Sequence, residues 1–242
     1  NGLPLVVIEL KNLIDENATI KNAYNQIQTY KSQVEQLFYT NALCIISDGL
    51  EAKMGTITSS IDRYMSWKSV DGITTGSHVR QLENMVFGSL NPKVLVDLIL
   101  NYTIFHTDGE KIIKILWAYH QYFAVQKAIK STFCAVHDHT KKAWVVRHTQ
   151  WSGKSLTMVF YAGQIIQKLD NPTLLVITDR NDLDDQLFWT FALSKDLLRQ
   201  TPQQAKDAGD LKKLLAVASG WVIFTTVQKF MTDDESGKYP LL

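Results

Sequence analysis

The 242 residues include only two cysteines, Cys44 and Cys134, 90 positions apart and outside any Cys-x-x-Cys spacing. That scarcity excludes a disulfide framework and makes a reducing cytoplasm the expected compartment. No secretory leader pattern is visible, and no apolar run approaches the length of a bilayer span, so no membrane partner is expected. Charge of one sign is also lacking. The formal net charge is +1, which excludes a global basic field and leaves nucleic-acid binding to local patches. Eight basic and 10 acidic residues precede Thr107 and 17 and 14 follow, so the second half is only mildly basic. His137-Asp138-His139 has alternating metal-ligand types but lacks the further ligands a site needs, and reads as a solvated turn. The chain starts without methionine, directly before an apolar run, and ends at Tyr239-Pro240-Leu241-Leu242 with no stop pattern. It is therefore expected to be a fragment. What remains, 45% hydrophobic and 20% charged, is the composition of a globular protein with room for one or two domains.

The most informative stretch is His148–Met158, HTQWSGKSLTM. The apolar run Ala143–Val146 leads into it as an expected strand, and Leu156–Leu169 leads out as an amphipathic helix. Strand, tight loop and a helix opening on Gly-Lys-Ser form a phosphate-binding loop. Helix-start N–H groups are unpaired and the helix dipole adds positive charge there, so the loop of Thr149, Gln150, Ser152 and Gly153 can cradle phosphates. Lys154 is expected to reach the β- and γ-phosphates of ATP, and the Ser155 hydroxyl to complete the shell of a Mg2+ ion. Two features depart from the consensus: His148 stands where it wants glycine, and Trp151 sits inside the loop where a small residue lets the backbone wrap a phosphate.

Leu3–Leu10 (LPLVVIEL) reads as a buried strand, interrupted by Glu9 and followed by Lys11. Side chains two apart on a strand share a face. An acid and a base on one buried face is either a strand-end ion pair or a site where Glu9 binds a metal and Lys11 stabilises charge on a phosphodiester. Asn17–Phe38 reads as a helix with Asn17 as N-cap and Ile20, Ala23, Ile27, Val34 and Leu37 as its apolar stripe. Gln26 and Tyr30 lie four apart on one face of it. Leu43–Ile46 is expected to be a strand ending in Ser47-Asp48-Gly49, and Thr56–Ser59 one more. Strand, helix, strand with charges on the first strand fits a small α/β nuclease core.

Val94–Phe105 is expected to be a helix, and the polar Thr107–Glu110 a domain boundary. Lys111–Ser131 then reads as helical, carrying Gln121 among aromatics, a residue type that can read an adenine edge. Beyond the phosphate loop the pattern alternates: strand Thr173–Thr178, helix Asn181–Leu193 with Leu183, Leu187, Phe188 and Phe191 inward, helix Leu211–Ala218, strand Trp221–Thr226. Such alternation predicts a parallel sheet covered by helices, a RecA-like NTPase domain. No acidic pair follows a later strand; Asp233-Asp234-Glu235 reads as a loop.

Together LPLVVIELKN, NAYNQIQTYK, HTQWSGKSLTM, VITDRNDLDDQL and VIFTTVQKF, in that order, resemble the restriction (motor and nuclease) subunit of type I restriction-modification enzymes. The resemblance implies an α/β chain: a PD-(D/E)xK restriction-endonuclease-like domain over 1–107, then a RecA-like (P-loop, superfamily 2 helicase) parallel-sheet domain over 108–242, both incomplete. It implies that Glu9 and Lys11 are the E-x-K of the nuclease and Gln26 and Tyr30 its QxxxY helix. Lys154 and Ser155 become the ATP motif and Gln121 the adenine-reading glutamine. Thr178-Asp179-Arg180 and Thr225-Thr226 fall in blocks where such motors touch the DNA backbone. Double-stranded DNA and the methylation and specificity subunits are the implied partners. The nuclease's first aspartate is expected before Asn1, and motif II and a second RecA-like domain after Leu242; the family has glycine where Trp151 stands. Cleavage and hydrolysis by this piece alone are therefore not expected. The alternatives are a catalytically inactive DNA-binding or assembly module, which Trp151 favours, and a related phage-defence helicase-nuclease.

Overall fold

The structure, a computed structural model, describes residues 2–12, 19–74, 81–116, 118–140, 142–147, 149, 152–217 and 220–230. It divides into two compact units, Asn1–Phe123 and Ala124–Leu242.

In the first unit, β1 (Val6–Leu10), α1 (Ile20–Gln33) and β2 (Leu43–Ser47) form a crossover in which β1 and β2 pair in parallel, Glu9 opposite Ile46. The chain then reverses at Ser47-Asp48-Gly49. Asp48 Oδ1 accepts the amides of Leu50 and Glu51, and Gly49 takes the positive φ of 92°. β3 (Ala52–Gly55) returns antiparallel to β2, giving the order β1-β2-β3. β2 is buried along its whole length. Val7, Ala23, Ile27, Cys44, Ile46 and Phe38 form the core between sheet and α1. β1 is not the fully buried strand expected. Among the described residues it lies at the edge of the sheet, with Val7 in the core and Ile8 and Leu10 on the opposite face 42% and 57% exposed. α1 also starts later than expected. Its N-cap is Thr19, whose hydroxyl accepts the Asn22 amide; Asn17 lies outside the described residues. The helix stops at Gln33, and Val34 leaves the apolar stripe with 46% exposure.

Three further expectations are corrected in this unit. Thr56–Ser59 is a turn, closed by the Ser59 amide on the Thr56 carbonyl. α2 (Gln81–Phe87) precedes α3 (Pro92–Asn101), which ends before the expected limit; Asn91 caps it and Pro92 fills its first position. The polar stretch Thr107–Glu110, expected as a domain boundary, is the end of β4 and the turn of a hairpin, β4 (Ile104–Asp108) paired antiparallel with β5 (Lys111–Ile115), with Gly109 at positive φ in the first turn position. Asp-Gly between alternating apolar runs favours this over a helix. The hairpin docks on the Thr56 turn. Thr56 and Thr58 hydroxyls donate to the Lys114 carbonyl (2.7 and 3.1 Å), and Lys114 Nζ donates to the Asn41 carbonyl at 2.9 Å. That burial holds the Lys114 pKa below its ordinary value.

α4 (Tyr119–His137) begins in an aromatic cluster of this unit: Trp67, 1% exposed, meets Tyr119, Tyr122 and Phe123, and the Tyr102 ring lies 5.1 Å from that of Tyr122. Gly88 makes room for it, because a Cβ there would lie 2.2 Å from Trp67 Nε1. The units thus divide after Phe123 rather than at Thr107.

The second unit holds α5 (Lys154–Lys168), β6 (Leu174–Thr178), α6 (Asn181–Ala192), the short α7 (Lys195–Leu198), β7 (Gln203–Gln204), α8 (Ala208–Leu215) and β8 (Val222–Thr226). The strands are all parallel in the order β6-β8-β7. Neighbouring residues of β8 face opposite ways. Phe224 receives Phe188 and Phe191 of α6, with ring centroids 5.6 and 5.0 Å away, while Ile223 packs with Leu211 of α8. Helices therefore cover both faces, as the alternating pattern predicts. The inward face of α6 differs from expectation: Leu183 is 45% exposed, and Asp184, Phe188 and Phe191, at i, i+4 and i+7, turn to the sheet. Residues 142–147 form no strand. Trp144, Val145 and Val146 are exposed, and no strand among the described residues pairs with them. An apolar run becomes a strand only where a ladder accepts its backbone groups.

Candidate nucleotide, nuclease and DNA-contact sites

In the phosphate loop, Ser152 folds back on Thr149, its hydroxyl donating to the Thr149 carbonyl at 2.7 Å. Gly153 is the N-cap of α5 in the left-handed conformation (φ 77°, ψ 36°), a position that favours glycine, and no side chain caps the helix. Lys154 is the first helical residue and exposed; Ser155 follows, half-buried. The helix behind them is fixed by Val159, Phe160 and Ile165, all buried, and by a 2.6 Å hydrogen bond between the hydroxyls of Tyr161 and Thr132. A helix start without a side-chain cap leaves its first amides for an anion, and Lys154 adds charge at the same place. The arrangement fits a nucleotide phosphate. His148, Gln150 and Trp151 lie outside the described residues. A cavity of about 260 Å3 adjoins Lys154, between Ala124 and Ala128 of α4, Trp144, and Met158 and Tyr161 of α5.

Gln121 belongs to the first unit, 4% exposed, and serves α4 itself. Its side-chain oxygen accepts the Ala118 backbone N–H at 2.9 Å, while its backbone N–H donates to the Ala118 carbonyl at 3.0 Å. This is the reciprocal cap expected of a glutamine at the third helical position.

Glu9 and Lys11 do share a face of β1. Lys11 Nζ lies 2.8 Å from a Glu9 carboxylate oxygen, and the two side chains are 26% and 13% exposed, lysine first. The Lys11 amide donates to the Ser47 carbonyl, extending the ladder past the last paired residue and fixing where the lysine leaves the sheet. Gln26 and Tyr30 are half-buried on α1, and Tyr30 packs against the core cluster that contains Val7. Glu9 can give one oxygen to a divalent cation. Among the described residues no group of three or more acidic, histidine or cysteine side chains gathers around any point. The donor set of a complete metal centre is therefore only partly here.

The two blocks expected at DNA meet at the C-terminal edge of the parallel sheet, where open α/β sheets bind ligands. Thr178 pairs with Thr226 in register, and its hydroxyl lies 3.5 Å from the Thr225 carbonyl. Gln228 Nε2 donates to the Asp179 carbonyl at 2.8 Å. Thr225 and Thr226 are buried, whereas Asp179 and Arg180 are exposed. A residue the sequence reading passed over joins them. Asp184, 2% exposed, accepts from the Thr178 hydroxyl at 3.2 Å and from Gln204 Nε2 of β7 at 2.8 Å. Its helical phase with Phe188 and Phe191 is the signal that places it inward.

Residues 120–242 match the family model described as SWI2/SNF2 ATPase, and residues 1–63 match the type I restriction enzyme R protein N terminus. The whole chain aligns at 44% identity with the type I restriction enzyme HindI endonuclease subunit of Haemophilus influenzae, covering 24% of that protein. It aligns at 30% identity, again over its whole length and 24% of the relative, with the putative type I restriction enzyme MjaIXP endonuclease subunit of Methanocaldococcus jannaschii. The SauCOLORF180P endonuclease subunit of Staphylococcus aureus (strain COL) is likewise 30% identical, with the same two coverages. The chain spans about a quarter of the length of these curated relatives. Among the described residues no helix is long and apolar enough to cross a membrane.

Proposed function

This chain belongs to the endonuclease (R) subunits of type I restriction enzymes, an R protein N terminus joined to a SWI2/SNF2 ATPase, and we propose on that premise that it is the piece where nuclease and motor meet. The first unit is the strand-helix-strand part of a PD-(D/E)xK nuclease, and the second the beginning of a RecA-like, superfamily 2 motor. In the intact subunit, ATP hydrolysis pulls duplex DNA past a complex anchored by methylation and specificity subunits in the cytoplasm, and the nuclease cuts remote from the recognition site.

Each residue's part follows from its chemistry. Glu9 would give one oxygen to a bound Mg2+, and Lys11, held beside it, would steady negative charge on a phosphodiester. Gln26 and Tyr30 line the same helix above the sheet. Thr149, Gln150, Ser152 and Gly153 wrap the phosphates of ATP; Lys154 meets their charge and Ser155 holds the nucleotide's Mg2+. Bound Mg2+ supplies charge neutralisation on phosphate oxygens in both places. Gln121 is assigned to the adenine edge, and Thr178, Asp179, Arg180, Thr225 and Thr226 to the DNA backbone. Among these five, Arg180 carries the positive charge at the surface.

The observation that carries the motor assignment is the start of α5: a left-handed glycine, no side-chain cap, and Lys154 as first helical residue. Calorimetry with Mg-ATP on this chain and its Lys154→Ala and Trp151→Gly versions tests it. The parent is expected to bind, with at least a tenfold loss in Lys154→Ala. Equal binding by both would remove the assignment. Binding by Trp151→Gly alone would support the second reading, an inactive DNA-binding or assembly module, which the indole inside the loop favours.

A further inference from the structure

The corner from β6 to α6 reads Thr178-Asp179-Arg180-Asn181-Asp182-Leu183-Asp184-Asp185, four acids and one base. Asp179, Arg180, Asp182 and Asp185 are exposed, and among the described residues the one acid the Arg180 guanidinium approaches is Asp182, at a long 3.6 Å. A DNA phosphate brought to this corner meets attraction at one point and repulsion around it. Contact therefore depends on where Arg180 is held and on how much acid stays at the surface.

Asp184 governs both. It is the one acid of the four taken out of solvent, at 2% exposure, and among the described residues its carboxylate is met by hydroxyl and amide donors rather than by a cation. Its amide donates to the Arg180 carbonyl at 3.0 Å, fixing the turn directly behind the arginine. Its carboxylate spans the sheet edge: one oxygen takes the Thr178 hydroxyl at the end of β6, the other takes Gln204 on β7, which lies on the far side of β8. The Thr178 hydroxyl has a single proton and three oxygens in range, at 3.2 Å (Asp184), 3.4 Å (Arg180 carbonyl) and 3.5 Å (Thr225 carbonyl). The carboxylate is the nearest and the only charged acceptor, so it takes the proton. Gln204 Nε2 also reaches Asp185 at 2.9 Å, and Gln228 grips Asp179 from the segment after β8. The buried carboxylate thus ties the corner to β6 and β7, and Gln228, just after β8, adds a separate hold on Asp179.

We propose that Asp184 is the positioning residue of the DNA-facing corner, holding Arg180 in place for a backbone phosphate while withdrawing its own charge from the surface. This rests on the reading of Thr178–Arg180 as a DNA contact. Duplex DNA binding by this chain, followed by fluorescence anisotropy across salt concentrations, is compared for Asp184→Ala, Asp184→Asn, Thr178→Val and Arg180→Ala. Amide exchange over 179–184, Mg-ATP affinity and melting temperature are measured on the same samples. Arg180→Ala is expected to weaken binding about tenfold and to lower the salt slope by about one contact. Asp184→Ala should match that loss with Mg-ATP affinity unchanged and faster exchange at the corner. Asp184→Asn keeps an acceptor for Thr178 and should stay within about threefold of the parent. Thr178→Val removes one tie, leaves the carboxylate in place, and should fall between them; it carries the test if Asp184→Ala does not fold. If Arg180→Ala weakens binding and neither Asp184→Ala nor Thr178→Val does, the positioning role is overturned. If Arg180→Ala leaves binding unchanged, the DNA reading fails instead. Exchange then decides for Asp184: faster opening of 179–184 upholds the clamp, and parent-like exchange overturns it.

Discussion

Phe224 offers the sharpest test of the second unit's core. It is fully buried in the middle of β8, the central strand, with Phe188 and Phe191 of α6 edge-on at 5.6 and 5.0 Å. Phe224→Ala removes a buried ring, which costs about 3–5 kcal/mol, and part of that loss is two edge-to-face pairs of about 0.5–1.5 kcal/mol each. A domain of this size holds about 5–15 kcal/mol in all, so the substitution takes about a fifth of it or more. With a urea dependence of about 2 kcal/mol per molar, the unfolding midpoint falls by about 2 M. Amide exchange with peptide-level mass spectrometry gives the assay its resolution. Segments containing β6, α6 and β8 should lose protection at a urea concentration where β2, whose core is Val7, Ala23, Ile27, Cys44 and Ile46, keeps its own. A loss under 1 kcal/mol would mean that α6 does not pack on β8 through these rings. Equal loss in β2 would mean that the two units do not have separate cores.

Three other outcomes follow. In the intact endonuclease subunit, Lys11→Ala should abolish DNA cleavage and leave DNA-stimulated ATP hydrolysis in place; continued cutting would break the assignment of Glu9 and Lys11 as the nuclease pair. Burial pushes the Cys44 thiol from 9.0 up to about 11, against smaller opposing effects of Tyr64, Lys31 and Lys114. The native state therefore keeps a proton that the unfolded chain gives up, so stability is unaffected below pH 9 and falls between pH 9 and about 11, by about 3 kcal/mol at most. Urea melts across that window check the slope. At pH 8 iodoacetamide should modify exposed Cys134 alone, with Cys44 reacting only after denaturation.

Much of this architecture is legible in the sequence because the relevant forces are local. β-branched runs set β2, β6 and β8, and Gly-Lys-Ser sets the start of α5. Glu9 and Lys11 meet because strand side chains alternate. What was not legible depends on partners distant in sequence. Ala143–Val146 has strand composition, but a strand also needs a neighbour to accept its hydrogen bonds, and composition does not supply one. Lys111–Ile115 satisfies helix and strand patterns alike over five residues; the Asp-Gly before it decides for the hairpin, and that signal was available. Asp184 looks like an ordinary first-turn acid of α6 until its phase with Phe188 and Phe191 is followed to the sheet. Thr225 and Thr226 look like surface hydroxyls, yet β8 is the central strand and buries both.

The reciprocal bonds between Gln121 and Ala118 set a rule for any base that Gln121 reads. A glutamine that recognises adenine uses its oxygen and its nitrogen together, and here the oxygen already belongs to the first turn of α4. Freeing it uncaps the helix, a loss of about 1 kcal/mol, or roughly fivefold in binding. The helix start is therefore a tethered competitor that never dissociates. A ligand returning only one hydrogen bond gains too little to displace it, while one returning two is favoured.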